Sequence, residues 1–235
     1  MEQFRRTGFL SSIPPVTKNL IIINLLCWLA SIVLPKVNIN MIDLFGLHFP
    51  GTSNFRFFQF FTYMFLHDTH SIEHVFFNMF AVYMFGRVLE QVWGPKRFLL
   101  FYFVTGLGAA LTQELTWLWT IQSIASVNQI SIAEQIVFDP NVHHIVTVGA
   151  SGAVFGILLA FGILFPNVPL YIMFVPIPVK AKYFVIGYGL LELSLGIANF
   201  SGDNVAHFAH LGGMIFGFFM IMYWKKKRGN GQYFQ

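Results

Sequence analysis

Charge is what this sequence has least of. Asp, Glu, Lys and Arg together make up 10% of its residues, while 56% are hydrophobic; soluble domains carry about 25% charged residues. So little charge cannot cover the surface of an ordinary soluble domain, and the composition points to a polytopic membrane protein. Cysteine is nearly absent too. Cys27 is the single one, which excludes an internal disulfide, and its apolar setting reads as that of a buried thiol. The net charge of +4 is small and scattered, so no nucleic-acid partner is expected. A His-Glu-x-x-His string, the zinc-protease signature, is missing, and neither an internal repeat nor a second domain is visible.

What the sequence does have is a series of apolar stretches. A polar arm over residues 1–19, with Arg5, Arg6 and Pro14-Pro15, leads into the first, Leu20–Leu34. Leu29-Ala30-Ser31 faintly resembles a cleavage region, but the long arm and the apolar remainder favour an uncleaved span. Further spans are expected over Ile72–Val92, Phe98–Trp119, Val148–Phe165, Tyr183–Phe200 and Val205–Trp224. Residues 35–71 and 120–147 form two loops on one side. In the second loop Ile121, Ile124, Val127 and Ile130 recur at threes, the spacing of a helix lying on the membrane surface. Prolines 166, 169, 176 and 178 mark a turn, and residues 225–235 form a basic tail. The expected architecture is an all-α membrane protein, a six-span bundle over residues 20–224.

Orientation follows from the basic residues. With a cytoplasmic N-terminus, one side receives Arg5, Arg6, Lys18, Arg87, Lys96, Arg97, Lys180, Lys182 and Lys225–Arg228, and the outer side only Lys36 and Arg56. This positive-inside bias places both termini in the cytoplasm, and a bacterial inner membrane is the expected location. Lys225–Arg228 also suits contact with anionic lipid.

Polar groups inside these spans are clustered. Thr147–Gly156 reads Thr-Val-Gly-Ala-Ser-Gly-Ala-Val-Phe-Gly, with Ser151 between Gly149 and Gly152. Gly152 and Gly156 have the small-xxx-small spacing that lets two membrane helices approach closely. His210 is followed by Gly213 and Gly217 on nearly the same helical face. Glycine-mediated contact between these spans would bring the Ser151 hydroxyl to His210, the pairing a serine nucleophile requires. No carboxylate is evident beside the histidine, since Asp203 lies nearer the loop, so a dyad is expected rather than a triad. His74 and Asn78 are four apart and share a face, and both can donate hydrogen bonds to an oxyanion.

Three motifs, His74-Val75-Phe76-Phe77-Asn78, then Gly149-Ala150-Ser151-Gly152, then Ala209-His210-Leu211-Gly212-Gly213 through Gly217, resemble those of the rhomboid intramembrane serine proteases and lie in that family's order. Thr62-Tyr63-Met64-Phe65-Leu66-His67, Gly86 and Glu90 also fit. The resemblance implies Ser151 as nucleophile, His210 as general base, and His74 and Asn78 as oxyanion donors. It further implies cleavage of the transmembrane helices of single-span or polytopic membrane proteins near their outer end, without a cofactor or metal. Two positions depart from the family. Phe58-Gln59 stands where Trp-Arg is common, and Phe155 replaces a tyrosine that packs on the histidine; Phe155 keeps the ring.

Other readings compete. A rhomboid-like protein without catalysis would bind membrane helices, though the intact Ser151, His210, His74 and Asn78 argue against that. Five histidines, at 67, 70, 74, 207 and 210, suggest a metal transporter or metalloprotease, but no carboxylate is evident among them inside the bilayer. His67, His70 and His207 are therefore expected to be structural or interfacial. The fifth span, whose polar residues include Glu192 and Ser194, is expected to be the least firmly held and hence a lateral gate.

Overall fold

A membrane-spanning helix needs about 20 predominantly apolar residues, and four helices of the computed structural model have the length and composition for it. They are α1 (Pro15–Val33), α6 (Pro95–Asn128), α10 (Ala181–Ala198) and α11 (His207–Arg228). The structure describes residues 12–171, 177–198 and 206–228. The features expected at Arg5, Arg6, Pro176 and Asp203 and in the tail beyond Arg228 lie outside the described residues.

The expected second span is a composite. Helix α4 (Ile72–Ala81) runs through a π-helical turn (Val82–Gly86) into α5 (Arg87–Trp93). The fourth expected span is α9 (Ser151–Leu164), 14 residues and so about 21 Å long. It is apolar all round, and Gly152–Leu158 and Ala160–Gly162 are buried. A helix of that kind belongs to the core rather than the rim. Helices α6 and α11 flank it, and α10 lies against both α9 and α11. The rim helices turn apolar side chains outward, among them Leu26, Leu29, Phe76, Phe80, Leu190 and Phe219, the pattern of a lipid-facing surface. The architecture is an all-α membrane bundle. Sheet is confined, among the described residues, to two short antiparallel pairs, β1 (Leu47–His48) with β2 (Val146–Thr147) and β3 (Pro169–Leu170) with β4 (Val179–Lys180).

Helix α1 begins at Pro15, ahead of the expected start. Proline at the first helical position has no N–H to satisfy, and the cap comes from afar. The Glu90 carboxylate, on α5 and buried, accepts the N–H groups of Val16 (2.9 Å) and Thr17 (2.7 Å) and the Thr17 hydroxyl (2.8 Å). An anion at a helix N-terminus is favoured by the exposed N–H dipoles.

The third span also differs from expectation. Helix α6 continues as one rod to Asn128 and ends with Gln129 in the left-handed conformation, φ 56°. Ile121 and Ile124, expected on a separate surface helix, lie in its last turns, and Ile121 packs with Phe49 and Val142. Two short helices follow, α7 (Ile132–Phe138), opened by a Ser131–Glu134 capping box, and α8 (Pro140–His144).

The first loop contains α2 (Met41–Phe45) and α3 (Gln59–Thr62). Gln59 is fully buried. Its amide donates to the carbonyls of Leu44 (3.2 Å) and Asn54 (3.0 Å) and accepts from the Arg56 N–H (2.9 Å). The family departure at this position therefore still supplies a hydrogen-bonding hub. The Thr62 hydroxyl adds a bond to the Phe45 carbonyl at 2.7 Å. Through β1–β2, with Leu47 opposite Thr147, this braced loop holds the segment that enters the serine motif.

Candidate active site

Helix α9 starts at Ser151, and the turn before it needs Gly149, whose φ of 135° side chains rarely adopt. The Gly149 N–H donates to the Tyr63 carbonyl at 3.0 Å, and the Tyr63 hydroxyl in turn donates to the Gly106 carbonyl at 2.7 Å. The Thr62–His67 segment thus fixes the serine turn to α6. The first N–H groups of a helix have no partner within it, and in α9 these groups follow directly on the serine.

His210, one turn into α11, lies with Nε2 2.8 Å from Ser151 Oγ. The close approach of the helices comes from their glycines: Gly213 faces the Gly152 carbonyl, and Gly217 lies by the Cα of Gly156. The expected contact between the serine and histidine spans is present. Phe155, one turn after Ser151, stacks on the His210 ring at 4.2 Å between centroids and 7° between planes. Tyr188 of α10 stacks on the other side of Phe155 at 5.1 Å.

His74 stands beside the serine turn. Its Nδ1 accepts the backbone N–H of Asp68 at 3.3 Å, which leaves the proton of the neutral ring on Nε2. A β-carbon on Gly149 would sit 3.0 Å from that Nε2 and 3.4 Å from Ser151 Oγ, so the N–H and the hydroxyl border the same small volume. Asn78 is buried one turn further along α4, its amide donating to the His74 carbonyl at 2.8 Å; the same nitrogen carries a second N–H. The structure brings Ser151, His210 and His74 together, and the contact it records for Asn78 is with the His74 carbonyl. His67 is fully buried with its ring 5.1 Å from that of His74. Burial, aided by His74, pulls its pKa down to about 3, so at neutral pH this imidazole is uncharged.

One residue of the site does not follow from the motifs. Contrary to the expectation that His210 has no carboxylate neighbour, Glu192 Oε2 lies 2.9 Å from His210 Nδ1 and 2.6 Å from His207 Nδ1. All three residues are buried. The available signal was a lone carboxylate within an apolar span, which is costly without a partner. The cluster also corrects the expectation that no acid stands among the histidines, since one atom from each of Glu192, His207 and His210 falls within 4.8 Å of the others and the set could hold a metal ion. The 2.6 and 2.9 Å separations are hydrogen-bond lengths, shorter than the spacing of two ligands around a zinc ion with bonds of about 2.0–2.2 Å. A bound ion would have to push the carboxylate away from both rings. Glu192 and Tyr188 join α10 to the elements around Ser151, while besides Glu192 the buried residues of this helix are Ala181 and Val185, in keeping with a span held at few points.

An apolar helical bundle thus seats a serine hydroxyl against a buried imidazole. A rhomboid domain model matches residues 54–227, most of the sequence, and the chain belongs to the rhomboid family. It is similar to RHOMBOID-like protein 12, mitochondrial, of Arabidopsis thaliana, 31% identical over 144 residues that cover 60% of this chain and 39% of that protein. It is also similar to the rhomboid protease AarA of Providencia stuartii, 30% identical over 155 residues, 61% of this chain and 48% of the relative. RHOMBOID-like protein 6, mitochondrial, of Arabidopsis thaliana is 29% identical over 181 residues, 73% and 48% of the two chains. The chain thus spans less than half the length of the curated relatives it matches.

Proposed function

We propose that this protein is a serine endopeptidase that cuts transmembrane helices of membrane-protein substrates near their outer end. The observation that carries the reading is the 2.8 Å contact of Ser151 Oγ with His210 Nε2. His210 Nε2 takes the hydroxyl proton as Oγ attacks the scissile carbonyl. The developing oxyanion is met by the Nε2–H of His74, by Asn78 and by the first N–H groups of α9. His210 then gives its proton to the departing amine, leaving an ester on Ser151 that water hydrolyses after its own proton passes to His210. That water reaches the site from the outer side, where Ser151 and His210 open their helices. Both termini are cytoplasmic and the membrane is a bacterial inner membrane in this reading, supported by the positive-inside distribution. Similarity to a protein named a rhomboid protease supports the activity.

The test is labelling of the purified protein with a serine-directed fluorophosphonate, alongside cleavage of a panel of single-span proteins. Wild type should label and cleave, and Ser151→Ala should do neither. His210→Ala should abolish cleavage, and the double variant should be no worse than either alone, because the two residues act as a unit. Near-normal cleavage by folded Ser151→Ala would sink the assignment. Failure of wild type to label or cleave any of the panel would favour a rhomboid-like protein that only binds membrane helices.

A further inference from the structure

Glu192 projects from α10 toward α11 and offers a single oxygen, Oε2, to two imidazoles at once. We infer that Glu192 is a positioning residue for the Ser151–His210 pair: it holds His210 in the Nδ1–H tautomer and stabilises the imidazolium that forms when Nε2 takes the serine proton. This rests on the protease reading above and turns its dyad into a Glu192–His210–Ser151 relay of hydrogen bonds.

The tautomer follows from counting protons. An ionised carboxylate can only accept, so both Nδ1 atoms within reach of Oε2 must donate. A neutral His210 that donates from Nδ1 has its lone pair on Nε2, the atom facing Ser151 Oγ at 2.8 Å, and the hydroxyl must then donate to it. The opposite assignment fails. A protonated Glu192 could give its one proton to one Nδ1 but not to both, and His210 bonded in that way would carry its proton on Nε2, unable to accept from Ser151. The ring is held at Nδ1 by Glu192, at Nε2 by Ser151 and on one face by Phe155. The other titratable groups around this carboxylate and its histidine are His207 on α11, Tyr188 one turn back on α10, and His74 from α4.

Glu192→Gln keeps the size and removes the charge. Its amide can donate to Nδ1 and so stabilise the wrong tautomer, a change that in a classical serine protease triad costs about 10⁴ in kcat. Because His207 also binds this oxygen and limits how the amide settles, a fall of roughly 10²–10⁴ in kcat is expected with KM within about twofold. Glu192→Asp, which keeps the charge and can accept from Nδ1, should restore part of kcat at unchanged KM. A merely structural role would lower the amount of folded enzyme and leave kcat per folded molecule unchanged. A folded Glu192→Gln variant with kcat within twofold of wild type overturns the inference.

A second measurement does not need an active enzyme. In wild type labelled with ¹⁵N-histidine, the ring signals that disappear in His210→Gln should report a protonated Nδ1 and a bare Nε2 at pH 8. A bare Nδ1 with a protonated Nε2 overturns the inference even if cleavage is normal. If wild type neither labels with fluorophosphonate nor cleaves, the protease reading has failed, and the tautomer still decides whether Glu192 orients His210.

Discussion

Gly213 of α11 faces the carbonyl oxygen of Gly152 of α9 so closely that a β-carbon on Gly213 would overlap it. Backbone meets backbone there, one residue past Ser151 and three past His210, and neither side has a flexible group that could give way. Gly217 is different. Its β-carbon would meet the Phe101 ring at 3.1 Å and the Thr105 methyl at 3.2 Å, side-chain atoms that can shift by a few tenths of an ångström. Gly213→Ala should therefore separate the two helices and break the Ser151–His210 bond, costing cleavage at least about 10²-fold, because small misplacements of reacting groups are expensive. It should also lower the melting temperature. Gly217→Ala should stay within about tenfold of wild-type activity. Equal losses for the two, measured as kcat/KM on one substrate, would contradict the geometry.

The two candidate oxyanion donors should differ from His210 in what they cost. His74→Phe keeps a ring beside Gly149 and removes the Nε2–H; Asn78→Ala removes the amide that bonds the His74 carbonyl. Each should lower kcat, by roughly 10²–10³ if it supplies a full donor, with KM nearly unchanged, since the charge they stabilise exists only in the transition state. Fluorophosphonate labelling should slow in parallel. A variant that raised KM alone would mark that residue as a substrate contact instead.

Much of this arrangement is legible in the sequence alone. Glycines four apart on two spans foretold which helices touch, and the four-residue spacing of His74 and Asn78 foretold a common face. Both are local periodicities of a helix, and periodicity survives in sequence. Glu192 was visible only as an unexplained acid, because its partners lie 15 and 18 residues away on another helix, and no spacing rule links two helices through a loop. The full length of α6 was hidden for another reason. Thr120, Gln122 and Ser123 look like a loop to a hydropathy reading, yet polar side chains are no obstacle to a helix once it leaves the apolar core. Gln59 was noticed as a departure; that its amide organises the first loop depends on three backbone groups brought together only by folding.

His67 gives the fold a dependence on acid. The buried ring binds its proton only near pH 3 when folded, against an ordinary value of 6.5. Above 6.5 it is neutral in both states and has no effect. Between 6.5 and 3 the unfolded chain holds the extra proton, so stability falls as pH falls through that window, by up to about 1.4 kcal/mol per pH unit from this group. His67→Phe keeps a ring beside His74 and cannot titrate. Its unfolding midpoint should decline less steeply between pH 6.5 and 4 than that of wild type, measured in the same detergent. Parallel slopes would mean that His67 is not held neutral.

The position of α10 during turnover is open to a direct test. If Glu192 must stay on His210 for Ser151 to be activated, α10 cannot swing away from α11 while the bond is cut, and a substrate helix has to enter elsewhere. The end of α10 and the start of α11 are close enough to be tied together. A β-carbon on Gly196 would lie 3.3 Å from that of His207, slightly inside the 3.5–4.5 Å of ordinary disulfides and within reach of a small adjustment. In a protein with Cys27→Ser, the pair Gly196→Cys and His207→Cys should form a cross-link on oxidation. The reference is the same protein reduced, because His207→Cys also removes one of the two bonds to Glu192. Cleavage should persist in the oxidised form at no less than about half the reduced rate, whereas a hinge at this seam would lose nearly all activity on oxidation and regain it with reductant. Loss and recovery of that kind would show that α10 parts from α11 in each cycle, and that the contact of Glu192 with His210 is broken and remade with every substrate.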